Sequence, residues 1–358
     1  MTIKPGAFRF NTDSMKLEIF RGSENYEGTA SMTGIGTLAA GQWEEIQATS
    51  PDVQTGGTRA ILTGGYAPGT TYLDEIVYIN LATTGDSQTF GELTVSDRNH
   101  VHANLSDRTR GISGGGSKNP GVITADLEFI TISSTGNAID FGGDLTLARY
   151  CPAVAANSTR GVFAGGHSPG SPQNDVIDYI TIQSSGDAQD FGNLTSARRY
   201  FMAAFSSPTR GIFAGGGEPG YVTNINFITT STQGNGAYFG DLSVAAQDTQ
   251  GSSITSNSIR GLNMGGSGPS PGTNVIEYVT LATLGDAQDF GDLLAASGYG
   301  SYAASPTRAV KMGAGHPSYT NIIEYVQIMT TGNSADFGDI HTSVTGWSAG
   351  LSNGHGGL

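Results

Sequence analysis

The chain has 358 residues with 31 acidic and 17 basic side chains, a formal net charge of -14, and only 13% charged residues, roughly half the usual share. With its 54 glycines counted among the apolar residues it reaches an ordinary globular fraction, so a packed core is expected and disorder is not. The negative charge and the absence of a clustered basic run argue against nucleic acid or an anionic membrane as a partner, and no apolar stretch is long enough to span a bilayer. The start carries no charged-then-apolar leader, and a lone Cys151 precludes an intrachain disulfide. In chain order, the first predicted elements are the alternating runs "RFNTD" (9–13) and "KLEIF" (16–20) around a polar turn. They read as a hairpin, with "QWEEI" (42–46) as a third strand after a Gly/Ser/Thr-rich insertion at 21–41.

From residue 58 the sequence repeats. "TRAILTGG" (58–65) returns as "TRGISGGG" (109–116), "TRGVFAGG" (159–166), "TRGIFAGG" (209–216), "IRGLNMGG" (259–266) and "TRAVKMGA" (307–314). The arginines Arg59, Arg110, Arg160, Arg210, Arg260 and Arg308 are thus 51, 50, 50, 50 and 48 residues apart. Each unit continues with an alternating run centred on Tyr78, Phe129, Tyr179, Phe227, Tyr278 or Tyr325. It then reaches a landmark of the "DFGDL" type with Phe90, Phe141, Phe191, Phe239, Phe290 or Phe337. Alternation rich in β-branched and aromatic residues predicts strands, four per unit, as in "YFMAAFSS", "RGIFAGG", "NINFITT" and "AYFGDL". The third-to-fourth link always carries Gly with Asn or Asp, residues that suit tight hairpin turns.

A four-stranded meander has two faces to bury, so copies at this period are expected to close into a β-propeller. The first unit enters directly at its second strand, and the C-terminal "HTSVTGWSAGLSNGHGGL" aligns with a first strand. The expectation is an all-β chain with a six-bladed propeller over 51–358, closed by the C-terminal strand around Trp347, and an N-terminal β region over 1–50. A seventh blade would have to come from residues 1–57, which do not carry the pattern.

Second strands ending in Gly-Gly, third strands with a tyrosine and fourth strands with one aromatic before Leu resemble kelch repeats of the galactose-oxidase-like propeller class. Here Phe stands where Trp is common in that class, and Ala314 replaces the second glycine of the last unit. The N-terminal residues Gly6, Arg9, Phe10, Asn11, Thr12, Asp13, Leu17, Glu18, Phe20 and Trp43 closely resemble a short motif of bacteriophage tail-fibre and other virion proteins. The repeats are also similar to those of propellers encoded by marine bacteriophages. These resemblances imply a virion location, attachment to other virion proteins through Arg9, Phe10, Asn11, Asp13, Leu17, Phe20 and Trp43, and a homo-oligomer, with a trimer as its stoichiometry.

Residues that carry chemistry are few. The six arginines are read as structural, each pairing with an acid of its own sheet: Glu128, Asp178, Glu277 or Glu324 on third strands, or Asp140, Asp190, Asp289 or Asp336 before the phenylalanines. His100 and His102 share a strand face without an identifiable third ligand, and His167 and His316 belong to blades on opposite sides of the ring. No metal, cofactor or catalytic motif is expected, and the chain is read as a non-enzyme. Tyr66, Tyr221 and Tyr319, with His167 and His316, lie in loops that vary between units and are the candidates for binding a host-surface glycan or receptor. The competing readings are a polysaccharide-degrading propeller, whose carboxylate pair would leave no local signature, and a capsid decoration protein without a ligand.

Overall fold

A computed structural model of the protein describes strands at 8–11, 16–21 and 42–45 and residues 58–358, apart from 68–70, 95–97, 101, 119–120, 171–172, 199–201, 218–219, 246–252, 267–271 and 342–345. The chain divides into two units, Met1–Val53 and Gln54–Leu358. In the first, Phe8–Asn11, Lys16–Arg21 and Gln42–Glu45 form one antiparallel sheet in chain order. Arg9 lies opposite Glu18, Phe10 opposite Leu17, and Phe20 opposite Trp43, so the insertion does not prevent the third strand from pairing. Asp13 lies outside the described residues.

The second unit is a six-bladed β-propeller with no helix among its described residues. In blade 4 the strands are Ala203–Ser206, Arg210–Ala214, Asn224–Thr229 and Ala237–Asp241, running outward from the axis. Blade 1 takes its innermost strand from the C-terminal segment Ala349–Ser352, which pairs from Ala349↔Thr63 to Ser352↔Ala60 on Arg59–Ala67. Ring closure by the end of the chain is therefore as expected, with six blades. Blade 5 departs from the pattern: among the described residues its innermost segment makes single bridges, Ala204↔Ile254 and Ser256↔Gly261, in place of a strand. Blade 2 adds a small sheet of Arg98–His100, Ser117–Lys118 and Val122–Ile123 that the repeat does not announce.

Inner strands such as "AVAA" (153–156), "SYAA" (301–304) and "AGLS" (349–352) are fully buried, and small residues let six of them converge. Serines at their ends lace them together. Ser256 Oγ accepts from Ser206 N and donates to Ser206 O, both at 2.9 Å, and Ser106 Oγ donates to Ser352 O at 2.6 Å. The last residues then cross beneath this bundle. Gly356 N donates to Ser256 O at 2.7 Å, while His355 Nε2 sits 2.8 Å from Ser106 O and its Nδ1 accepts from Gly357 N. A Cβ on Gly357 would lie 1.8 Å from Ala156 O, so only glycine fits there.

Around this axis the repeat motifs hold blade to blade. Each repeat arginine lies 4.3 to 5.0 Å above the third-strand aromatic of its own blade. Each then donates through Nη1, at 2.8 to 3.4 Å, to a backbone carbonyl of the next blade: Ile132, Ile182, Thr230, Leu281, Ile328 and, closing the circle, Leu81 from Arg308. The aromatic's partner within the blade is the buried "DFG" phenylalanine, edge-on at 5.8 to 6.4 Å. The expected pairing of arginine with acid is thus corrected. Asp140, Asp190, Asp289 and Asp336 are exposed, and the third-strand acids cross the opposite way, to the residue that follows the previous blade's outer strand. Glu128 accepts from Thr94, Asp178 from Thr146, Glu277 from Ser243 and Glu324 from Leu294 N. Carboxylates suit that place because they can accept a backbone N–H and a hydroxyl together.

The Gly-Asn/Asp turns form a third system. The turn lies along the previous blade's outer strand, whose N–H donates to the Asn or Asp side chain: Glu92 to Asn137, Asp144 to Asp187, Asn193 to Asn235, Asp241 to Asp286, Asp292 to Asn333 and Asp339 to Asp86, at 3.0 to 3.2 Å. A glycine one or two places after each "DFG" phenylalanine makes room for it; a Cβ on Gly91 would stand 2.2 Å from Gly136 O, and one on Gly143 2.2 Å from Gly186 O. These caps also cover the outer edges that an isolated blade would expose.

Two outcomes follow. Arg210→Ala removes a cation–π contact and a charge-assisted hydrogen bond and should lower unfolding free energy by about 1–3 kcal/mol in urea titrations, with an unchanged midpoint counting against the strut. Burial holds His355 neutral down to about pH 4. Below pH 6.5 the unfolded chain takes up a proton that the folded chain refuses, so stability falls as pH drops from 6.5 to about 4, by roughly 3 kcal/mol in total. His355→Gln should lack that part of the slope when the two proteins are titrated side by side.

Candidate functional site

The Gly-Gly pairs turn the chain off the second strand with both residues at positive φ, as at Gly165 (63°) and Gly166 (98°). The loops that follow therefore gather at one end of the propeller. There the residue after the turn pairs with the segment entering the inner strand: Tyr66 with Gly346, His167 with Tyr150, and His316 with Gly298. These bridges carry three equivalent residues, each two positions before an inner strand, towards the axis. They are Cys151 in blade 3, Tyr299 in blade 6 and Trp347 in blade 1, with φ of 54°, 59° and 66°. Such a conformation costs an L-residue about 1–2 kcal/mol, so the surrounding contacts must hold it in place.

Those contacts form an aromatic arc over the axial mouth. The rings of Tyr299 and Trp347 stack at 3.9 Å and 13°. Tyr299 meets His316 edge-on at 6.0 Å, and Tyr66 leans on Tyr319 at 6.0 Å. The Trp347 indole donates to the Tyr319 oxygen. Burial raises the Tyr319 phenol above its usual range, which the indole donor partly offsets. It is a neutral hydroxyl at any ordinary pH. Across the axis Tyr150 leans on His167 at 4.7 Å and 39°, and buried Cys151 packs against Tyr150, Tyr299 and Trp347 together.

Of the residues picked out in the sequence, Tyr66, Tyr319 and His316 enter the arc. His167 flanks its far side, joined to it through Tyr150 and Cys151. Tyr221 is exposed on the blade 4 loop, in a bridge with Gly217, and is not part of the arc. Sequence reasoning saw Trp347 only as a latch and passed over Tyr150, Tyr299 and Cys151. Their signal was positional, since all but Tyr150 share one place in the repeat. Of the pair in "NHVH", His102 is buried with Nε2 2.6 Å from Thr63 Oγ1 of blade 1, and the His100 side chain lies outside the described residues. Among the described residues, no three or more His, Cys, Asp or Glu side chains are grouped to hold a metal ion.

The mouth thus offers flat rings, hydroxyls and imidazoles. Aromatic faces take the C–H side of a sugar while hydroxyls and ring nitrogens meet its polar edge. No protein-family model matches the chain, and no curated protein is significantly similar to it. Strain at position 347 is open to direct test. Glycine usually destabilises relative to alanine, but at φ of 66° the order should reverse, leaving Trp347→Gly more stable than Trp347→Ala by about 1 kcal/mol in thermal unfolding. Equal stability of the two variants would remove strain from the account of the mouth.

Proposed function

We propose that the protein is a non-enzymatic bacteriophage virion component whose kelch-like propeller binds glycan or receptor on the host surface. The observation that carries this reading is the N-terminal motif. Arg9, Phe10 and Asn11 occupy one strand, Leu17 and Phe20 the next, and Trp43 pairs with Phe20 on a third, so the residues that resemble virion proteins share one small sheet. That sheet attaches the chain to other particle proteins or to its own copies, in a homo-oligomer with a trimer as the stoichiometry to test. The glycan part of the reading is supported by the aromatic arc, by a net charge of -14 that disfavours anionic ligands, and by loops whose length varies between blades above a constant frame.

The test uses the full chain on arrays of bacterial surface polysaccharides, with reducing ends assayed in the same samples. Binding without release is the expected result, and Tyr319→Ala should weaken it about tenfold if the arc is the contact. Release of reducing ends would favour the polysaccharide-degrading alternative. Deleting residues 1–45 should abolish incorporation into particles while leaving glycan binding intact.

A further inference from the structure

At the opposite end of the strands from the aromatic mouth, the blades are not equivalent. Blade 1 holds a depression of ≈ 450 Å³ lined by Arg59, Tyr78, Thr83, Asp86 and Gln88. Blade 3 holds one of ≈ 500 Å³ lined by the matching Arg160, Tyr179, Ser184, Asp187 and Gln189. Blade 5 has the same set in Arg260, Tyr278, Asp286 and Gln288. In all three the tyrosine hydroxyl donates to the glutamine Oε1, at 2.7, 2.5 and 2.7 Å, which turns the amide so that its Nε2 hydrogens face away from the ring. The intervening blades differ at both variable places. Asn137, Asn235 and Asn333 replace the aspartates, and Ile139, Ala237 and Ala335 replace the glutamines.

Ring construction does not call for this alternation. The turn residue caps its neighbour's N–H equally well as Asn or Asp, at 3.0 to 3.2 Å in every junction, and the arginine strut is made in every blade. The cap uses Oδ1 of each aspartate and leaves the other carboxylate oxygen on the exposed side. What the odd blades add is therefore an amide donor held at fixed orientation and a carboxylate acceptor, beside a phenol oxygen and a guanidinium edge, around a polar hollow that in blades 1 and 3 is of sugar size.

We propose that blades 1, 3 and 5 each carry a saccharide-binding pocket, built from Tyr78/Asp86/Gln88, Tyr179/Asp187/Gln189 and Tyr278/Asp286/Gln288, which makes the propeller trivalent for a repeating neutral polysaccharide. This rests on the glycan-binding reading but places the contacts away from the mouth. Three similar weak sites on one end, of which blade 3's Tyr179 also accepts from Gln233 at 3.3 Å, suit a polymer that presents the same sugar many times, since the second and third contacts form at high effective concentration.

The test compares the full chain with the triple variant Gln88→Ala/Gln189→Ala/Gln288→Ala, the single Gln189→Ala and the mouth variant Tyr319→Ala on immobilised bacterial surface polysaccharides. The three glutamines are exposed, and melting temperatures serve as the folding control. The expected result is a loss of at least about tenfold for the triple variant, a much smaller loss for the single one, and a rim contribution that persists in Tyr319→Ala. Wild-type binding that is abolished by Tyr319→Ala and untouched in the triple variant would overturn the rim pockets and leave the proposed function standing. An absence of wild-type binding would overturn both. A triple variant that keeps its glycan affinity but no longer enters particles would reassign the alternation to a threefold protein partner and overturn the saccharide pocket.

Discussion

The propeller depends on how the face of one blade is held to the next, and the repeat arginine is the clearest case. It lies flat on an aromatic ring of its own blade and reaches over the junction to a carbonyl of the following one. A guanidinium does this where a lysine would not, because its plane can stack while its edge still donates. Since the ring and the carbonyl belong to different blades, the contact is satisfied only when neighbours are docked. Two of the three junction systems continue from blade 6 to blade 1, the strut through Arg308 to Leu81 and the turn through Gly85 N to Phe337 O and Asp339 N to Asp86. The fold is thereby a closed circuit, and its constant residues are mostly those that face another blade.

This explains which parts were legible in the sequence. Strand positions, blade number and closure could be read because they depend on alternation and period, which are local. The partners of the constant residues could not. Arg160 finds its carbonyl at Thr230, 70 residues on, and Asn137 caps Glu92 of the blade before. The turn asparagines looked like positive-φ residues, yet positive φ belongs to the neighbouring glycines, such as Gly136 at 155°. The Asn or Asp is there for its side-chain oxygen. Likewise the glycine of "DFG" is needed partly for space, because a Cβ on Gly91 would strike the turn of the next blade, and in blades 3, 5 and 6 it also holds a positive φ of 146 to 150°.

Where the repeat fails, the local physics changes with it. In blade 1 the third-strand position of Glu128, Asp178, Glu277 and Glu324 is held by apolar Val77, paired with Leu62. The residue that should donate to it is His341, which turns to Ser87 and Thr89 at 2.9 and 3.0 Å instead. In blade 3 the same position is Asp178, and a fully buried Arg149 answers it at 2.6 Å while also donating to the Gly165 and Val176 carbonyls. In blade 6 it is Glu324 with buried Lys311. A buried carboxylate needs donors, which in blade 5 are the Asn263 amide and Ser243 for Glu277, and a buried cation needs acceptors, so the partners at this position distinguish the junctions from one another. Distinct junctions disfavour docking in the wrong order among blades that otherwise look alike.

The aromatic mouth draws its residues from both sides of the seam where the ring closes. Tyr299, His316 and Tyr319 come from blade 6; Tyr66 enters with blade 1 near the start of the propeller, and Trp347 arrives on the segment leading into the closing strand. The stack of Trp347 on Tyr299 and the bridge of Gly346 to Tyr66 therefore exist only once the end of the chain has paired with Arg59–Ala67. Holding Trp347 at a left-handed φ draws on that same pairing, since a free terminus would relax to an ordinary backbone conformation. Mouth and closure are thus one structural event: the aromatic arc is complete only in the closed ring, and any molecule bound across it would in turn stabilise the closed ring against opening at the seam.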